Sequence, residues 1–398
     1  MKPILIRCLA LGLVCAPGAL LSSCQSAALP APAIELARVP GGGIQPQIVV
    51  EGKVVHLTYF AGKDSGGDVF YVRSDDEGRS WGAPLRVNSQ AGSAIAMGAI
   101  RGAHLSVGRG GRVFVVWNGS NSALPRNAAA PDALAKNGAA PLLFARLNDE
   151  GNAFEPQRNL MTRTFNLDGG ASLAADDGGA VTVVWHANDA PDDGEDKRQV
   201  FLAISRDDGA TFAPETPVWK APTGACGCCQ LRLSATDNRL NLLYRAATDF
   251  AQRATYSLVS TDGGRTWTGA DIAPWKLNYC PMSSYALARN GKQTVGAWET
   301  AGQIYWSPLA QSGAASQIIS APDTGNNRKY PALAVNGAGQ TLLAWTQDTA
   351  WKRGGTLHGA LWDERNQVIE TLPATPATPT WSFPATFARA DGSFVVLY

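Results

Sequence analysis

Ser74-Asp75-Asp76-Glu77-Gly78-Arg79-Ser80-Trp81, Ser205-Arg206-Asp207-Asp208-Gly209-Ala210-Thr211-Phe212 and Ser260-Thr261-Asp262-Gly263-Gly264-Arg265-Thr266-Trp267 spell one frame, Ser-x-Asp-x-Gly-x-x-aromatic. A weaker copy, Leu147-Asn148-Asp149-Glu150-Gly151-Asn152-Ala153-Phe154, keeps Asp149, Gly151 and Phe154. The residue types predict a tight turn. The Asp carboxylate accepts hydrogen bonds from backbone N–H groups just ahead of it. The Ser hydroxyl supports the same turn more weakly. Gly takes the positive φ that hairpins often demand, and the aromatic opens the next strand. Each full copy follows a β-rich run, at residues 69–73, 200–204 and 255–259. The unit reads as strand, turn, strand. One Asp-x-Gly is weak evidence, but three full copies in the same context make a repeat.

A second pattern lies between the turns. Val113-Phe114-Val115-Val116-Trp117, Val181-Thr182-Val183-Val184-Trp185, Leu240-Asn241-Leu242-Leu243-Tyr244, Thr294-Val295-Gly296-Ala297-Trp298, Thr341-Leu342-Leu343-Ala344-Trp345 and Val54-Val55-His56-Leu57-Thr58-Tyr59 are apolar strands ending in an aromatic. Small apolar strands precede them, as at residues 171–175 and 331–335. The unit is an inner strand, a second strand, a third strand, the Asp turn and an outer strand. Units of this kind are propeller blades. The expected fold is all-β, a six-bladed β-propeller of four-stranded antiparallel blades. At roughly 60 residues each, the blades fall at 40–92, 93–160, 161–220, 221–275, 276–320 and 321–398. Trp362-Asp363-Glu364-Arg365 is the remnant of the sixth turn, and residues 394–398 are expected to join the first blade and close the ring.

The turn frame resembles the Asp-box, or BNR repeat, of sialidases and sialidase-like propellers. The resemblance implies a single sialidase-like ring over residues 37–398, with the Asp-boxes on its periphery and any site at the inner-strand ends. It says little about the reaction, because the repeat also occurs in propellers without sialidase activity. A Cys-x-Cys-Cys followed by a Tyr-Arg, here Tyr244-Arg245, is also similar to a pattern in uncharacterised bacterial sialidase-like proteins, and that likeness brings no reaction with it.

Composition narrows the function classes. The chain has 398 residues, with 42 Gly, 24 Pro, 17% charged residues and a formal net charge of +1. It is long enough for a large core, and its near-neutral charge gives no electrostatic case for nucleic acid. Lys2 and Arg7 precede an apolar stretch at 8–21, too short for a comfortable membrane span. Leu21-Ser22-Ser23-Cys24 follows and resembles a bacterial lipobox, with Gln25 rather than Asp after the cysteine. The expectation is a lipoprotein signal peptide at 1–23, a lipidated Cys24, and a flexible tether over 24–36. That implies export to a bacterial outer membrane, lipid-anchored and facing the periplasm or the surface, with the membrane touched through the anchor only.

The sharpest chemical feature is Cys226-Gly227-Cys228-Cys229 at the opening of the fourth blade, with Cys280-Pro281-Met282 opening the fifth. Neighbouring inner strands lie side by side, so Cys280 is placed to meet the cluster. An exported protein readily forms disulfides. Adjacent Cys228 and Cys229 are poor partners for each other, which leaves Cys280 bridged to one member and another pair involving Cys226. The alternative is a soft-metal site for copper or zinc, with Met282 as a thioether neighbour, although the spacing is not a standard zinc one and no ligating His is obvious.

A sialidase grips a carboxylate with three arginines, because guanidinium forks match carboxylate oxygens, and uses a Tyr nucleophile beside a Glu. The family's first arginine has no counterpart here. Gly43-Ile44-Gln45-Pro46-Gln47 occupies its place, and Arg38-Val39-Pro40 falls before the strand. The remaining catalytic candidates are Arg232, Arg245, Arg328, Tyr330 and Glu299, with Arg101 and Tyr285 as further possibilities. His104 and His186 read as structural. Trp117, Trp185, Trp298, Trp345 and Trp351 either pack between blades or stack on a sugar. The sequence thus favours a non-enzymatic scaffold binding a glycan, protein or metal at the channel mouth, over an exo-sialidase-type hydrolase with a divergent arginine grip.

Overall fold

Along Arg112–Asn118 the side chains alternate between two destinations. Val113, Val115 and Trp117 enter one apolar cluster with Phe60, Val69 and Tyr71. Phe114 and Val116 enter another with Val181, Val183 and Trp185. A strand sends successive side chains to opposite faces, and here both faces are covered, so the run is almost continuously apolar. The same division recurs in Val181–Ala187, Arg239–Arg245, Gln293–Thr300 and Thr341–Gln347. The core is therefore a series of clusters between neighbouring sheets.

The structure is a computed structural model, described over residues 31–127, 140–236, 238–291, 293–325 and 327–398. The expected signal peptide and the expected lipidation site, Cys24, lie outside the described residues. Six sheets are four-stranded antiparallel meanders, and a seventh has three strands. Their inner strands are Ile44–Glu51, His104–Gly108, Ser172–Ala175, Arg232–Thr236, Tyr285–Asn290, Lys329–Val335 and Ala385–Ala388. Each inner strand touches the next, and the last touches the first, so the ring closes. The fold is a β-propeller of seven blades.

Six blades were expected, and the difference lies in the last expected unit, 321–398. It contains all of blade six, from Lys329–Val335 to Val368–Thr378, and two strands of a further blade. Phe394–Leu397 does not join the first blade. It pairs antiparallel with Ala385–Ala388 and parallel with Ile34–Ala37, Ile34 opposite Phe394 and Ala37 opposite Leu397. Both ends of the described chain thus build blade seven, and residues 34–36, expected in the tether, are strand. Phe394 and Val396 face blade six, while Val395 and Leu397 face blade one.

The recurring turns join third strands to outer strands, as expected. In the copy at 260–267, the Ser260 hydroxyl donates to Asp262 Oδ1 (2.8 Å) and accepts the Gly264 N–H (2.9 Å). Asp262 accepts the Thr266 N–H (2.9 Å) and hydroxyl (2.6 Å). Gly264 has φ +89°, which the Cβ of another residue would strain. Ser74, Asp76, Gly78 and Ser80 repeat this pattern, as do Ser205, Asp207, Gly209 and Thr211. The hydroxyl two residues after the Gly belongs to the frame, a position the sequence reading left open. These hydrogen bonds hold Asp76, Asp207 and Asp262 well below the usual carboxylate range, the side-chain bond from Ser80, Thr211 and Thr266 respectively contributing most.

The fourth copy differs. Asn148, not Asp149, accepts the N–H groups of Asn152 and Ala153 (3.1 and 3.2 Å), and Asp149 pairs with Arg112. The aromatics after the turns wedge against the preceding blade: Phe154 meets Tyr71 edge-on at 5.7 Å, and Phe212 meets Phe144 at 5.0 Å. Trp81 and Trp267 pack beside the clusters between blades seven and one and between blades three and four.

Two outcomes test this construction. Ser260→Ala leaves the buried Gly264 N–H without its acceptor, and is expected to lower unfolding free energy in urea by about 1–2 kcal/mol. Leu36→Asp places a charge against the closing cluster and is expected to cost about 2 kcal/mol; a free tether at 34–37 would leave the unfolding midpoint unchanged.

Candidate functional site

Because each blade adds four strands, every inner strand starts at the same mouth of the ring, here called the upper mouth. The seven inner strands line a central channel of about 550 Å³. Glu51, Asp176, Asp177 and Arg289 line its lower end. Burial, and then the negative charge of Asp177, push the Glu51 carboxyl upward. Arg232 lines the upper half.

Arg232 is the first residue of its inner strand, and four blades meet on it. Its Nη1 donates to Gln47 Oε1 at 2.7 Å and lies 3.0 Å from His104 Nδ1, while its Nε donates to the Tyr285 carbonyl at 3.3 Å. The Ser172 hydroxyl lies 3.2 Å from His104 Nδ1 and accepts the Leu233 N–H at 3.0 Å. Burial, and then the charge of Arg232, push the His104 imidazole far down. It is neutral at pH 7 and accepts through Nδ1. Burial pushes Arg232 down to about 10, so it remains a cation at pH 7. All its bonds go to neutral acceptors, and no carboxylate among the described residues pairs with it.

The other arginine candidates are spent elsewhere. Arg245 is 1% exposed, donates to the carbonyls of Arg253 and Glu299, and stacks over Trp275 at 4.9 Å. Arg328 is buried, bonded to Gln347 Oε1 (3.2 Å), Gln303 Oε1 (2.9 Å) and the Pro322 carbonyl (2.9 Å). Arg101 is ion-paired with Asp168. Among the described residues, the arginines that line the channel are Arg232 and Arg289, at its opposite ends, so no three guanidinium groups converge there. Glu299 is buried, accepting from the Ser283 hydroxyl (2.6 Å) and the Gly302 N–H (2.9 Å), with Lys329 Nζ at 3.9 Å. Tyr330 packs on Phe383, and burial, followed by the charge of Glu299, pushes its phenol up. Tyr285 is buried beneath the channel wall.

Of the two expected uses, Trp117, Trp185, Trp298 and Trp345 take the first and pack between blades. Trp351 is different. It is 53% exposed on the loop after the second strand of blade six, edge-on to Trp381 at 4.5 Å. A Cβ at Gly98 would lie 2.7 Å from Arg101 Nη1, 3.5 Å from Met282 Cε and 3.6 Å from Trp351 Cζ3. Arg101, Met282 and Trp351 therefore surround the Gly98 backbone at the upper mouth. Gln47, Ser172 and Trp381 are site residues that the sequence reading missed. Nothing in a short inner strand marks which side faces the axis until the ring is built.

The cysteines do assemble. Cys280 is bonded to Cys228, with Cα atoms 6.3 Å apart. Cys226 and Cys229 are thiols with sulfurs 2.8 Å apart, and Cys226 Sγ lies 3.4 Å from Cys228 Sγ. The Cys226 N–H donates to the Arg245 carbonyl (2.9 Å). Burial, and then the Arg198 charge, lower His186 to about 4, so it is neutral and its Nε2–H donates to the Cys229 carbonyl at 2.7 Å. Burial, then the bond to Cys229, push the Cys226 thiol up. Burial also acts to raise Cys229, but the Cys226 hydrogen bond and the charges of Arg245 and Lys329 bring it below its ordinary value. Met282, expected as a neighbouring ligand, sends its methyl toward the Gly98 loop.

No protein-family model matches the chain, and no curated protein matches it. Solved structures resemble it in fold. An α-L-arabinanase of Penicillium chrysogenum matches over 83% of this chain and 96% of its own, at 13% identity and TM-score 0.51. The Aleuria aurantia lectin, a six-bladed propeller, matches over 85% and 96%, at 10% identity and TM-score 0.50. A Hadza microbial sialidase matches over 84% and 74%, at 13% identity and TM-score 0.48. What this chain shares with the arabinanase and the lectin at these identities is the β-propeller fold.

Proposed function

We propose that this chain is an exported, lipid-anchored propeller that binds an anionic glycan or peptide group at the upper channel mouth without turning it over. One observation carries the reading: Arg232 presents a half-buried cation without a carboxylate partner to the channel. A guanidinium held by neutral acceptors keeps its charge available for a carboxylate, and its fork recognises two oxygens at once. Trp351, exposed at the same mouth, suits the flat face of a sugar ring. In this reading the Ser-x-Asp-x-Gly turns are Asp-boxes on the periphery, and Cys24 carries the lipid that holds the ring at the outer membrane.

An exo-sialidase-type hydrolase is the alternative. Against it stand the ion pair of Arg101 with Asp168 and the bonding of Arg245 and Arg328 outside the channel, which leave Arg232 as the one of these four that lines it, where that chemistry uses three. At the cysteine cluster, copper or zinc is the competing use of the thiols, since three of the sulfurs lie within 4.8 Å of one another. That use requires Cys228 released from Cys280, because soft metals take thiolates.

Titration calorimetry with sialic acid and glucuronic acid, each beside its methyl ester, tests the reading. Acid is expected to bind more tightly than ester. Arg232→Ala is expected to weaken acid binding roughly ten- to a hundredfold, for a lost charged hydrogen bond of about 1.5–3 kcal/mol. Equal binding of acid and ester, or release of fluorophore from a 4-methylumbelliferyl sialoside, overturns it. Separately, Cys24→Ala is expected to move the protein from the membrane fraction to the soluble one.

A further inference from the structure

The cysteine cluster contains more sulfur than a staple needs. One disulfide requires two cysteines, yet two further thiols are buried in contact with it. The four sulfurs are ordered by access. Cys280 is exposed, Cys228 half-buried, and Cys226 and Cys229 fully buried. They are also ordered by contact: Cys280 is bonded to Cys228, Cys228 lies 3.4 Å from Cys226, and Cys226 lies 2.8 Å from Cys229. The inner pair is held firmly. The Cys229 N–H donates to the Cys226 carbonyl at 3.2 Å, and Arg245 and His186 fix the same loop from either side. Gly227 lets the loop pass under Arg198, where a Cβ would lie 1.7 Å from Nη1. Arg245, Arg253 and Lys329 supply positive charge around the inner pair, which favours sulfur anions.

We propose that Cys226, Cys228, Cys229 and Cys280 form a thiol–disulfide relay that exchanges two electrons with an external disulfide or dithiol through its exposed Cys280 end. The internal step is balanced. Cys226 gives its proton to solvent and its thiolate attacks Cys228 Sγ, the Cys228–Cys280 bond breaks, and Cys280 leaves as a thiolate that takes up a proton from solvent. Cys229 then loses its proton and attacks Cys226 Sγ, and Cys228 leaves as a thiolate and takes up a proton. The disulfide has moved from Cys228–Cys280 to Cys226–Cys229, and two thiols have moved outward. No oxidant or reductant is consumed. The outer dithiol then reduces an incoming disulfide to two thiols, and Cys228–Cys280 re-forms. Exchange of this kind requires a thiolate, an accessible sulfur and a good leaving thiol, and the three requirements fall on different members of the cluster.

Folded protein is equilibrated with glutathione redox buffers, quenched in acid, alkylated and mapped by mass spectrometry. Chains carrying one disulfide are expected to hold either Cys228–Cys280 or Cys226–Cys229, in proportions that re-equilibrate after dilution. In the fully reduced protein, Cys228→Ser removes the middle of the relay. Oxidation of Cys226 and Cys229 by oxidised glutathione is then expected to slow at least tenfold, while Cys280→Ser, which keeps Cys228, retains oxidation faster than Cys228→Ser does. One-disulfide chains that hold only Cys228–Cys280 at every buffer ratio overturn the proposal. So does a Cys228→Ser protein that closes its inner pair as fast as the parent. If Cys228→Ser does not fold, the mapping of the parent chain decides alone.

Discussion

Each blade carries two apolar faces and has no means of burying either by itself. A second strand such as Val181–Ala187 sends Val181, Val183 and Trp185 to one neighbour and Val184 to the other. The ring satisfies every blade at once, and any gap would expose two faces together. This constraint explains the near-continuous apolar second strands, the aromatics wedged behind the turns, and the closing blade assembled from both chain ends. It also fixes the channel, because seven blades packed face to face leave their inner strands facing one another across the axis.

The blades that end in an Asp turn were legible because the turn depends on local chemistry. Ser, Asp and Gly at fixed offsets close hydrogen bonds within a few residues, and the aromatic strand ends recur with them. Blade seven was illegible for the same reason. It has no such turn, and its outer strand, Ile34–Ala37, lies at the opposite end of the chain. Asp149 misled because Asn148, one residue earlier, offers the same acceptor. The cysteine cluster was legible as a meeting of neighbouring inner-strand starts, and the choice of Cys228 as the partner of Cys280 was not, since spacing alone left it open. The arginines were visible as residue types, but their commitments were hidden. Arg245 and Arg328 bond to groups brought near only by the packing of blades four, five and six.

Two kinds of chemistry share the upper face and differ in how they keep charge. Arg232 retains its charge by accepting only neutral company from Gln47, His104 and the Tyr285 carbonyl. The inner cysteines are surrounded by cations, some already balanced, as Arg253 is by Glu195 at 2.9 Å. A blade interface holds both arrangements rigidly because the strands beneath them are buried on each face.

The parallel pairing of Ile34–Ala37 with Phe394–Leu397 sets the order in which the molecule is completed. Synthesis releases the first strand long before its partner exists. Until Phe394–Leu397 emerges, Ile34 and Leu36 have no sheet to join, and the apolar flanks of blades one and six have no cover between them. Loop-closure entropy for so long a connection must be met before any of this contact is gained. The strand Phe394–Leu397 therefore acts as a latch, and a chain that lacks it leaves those two flanks uncovered.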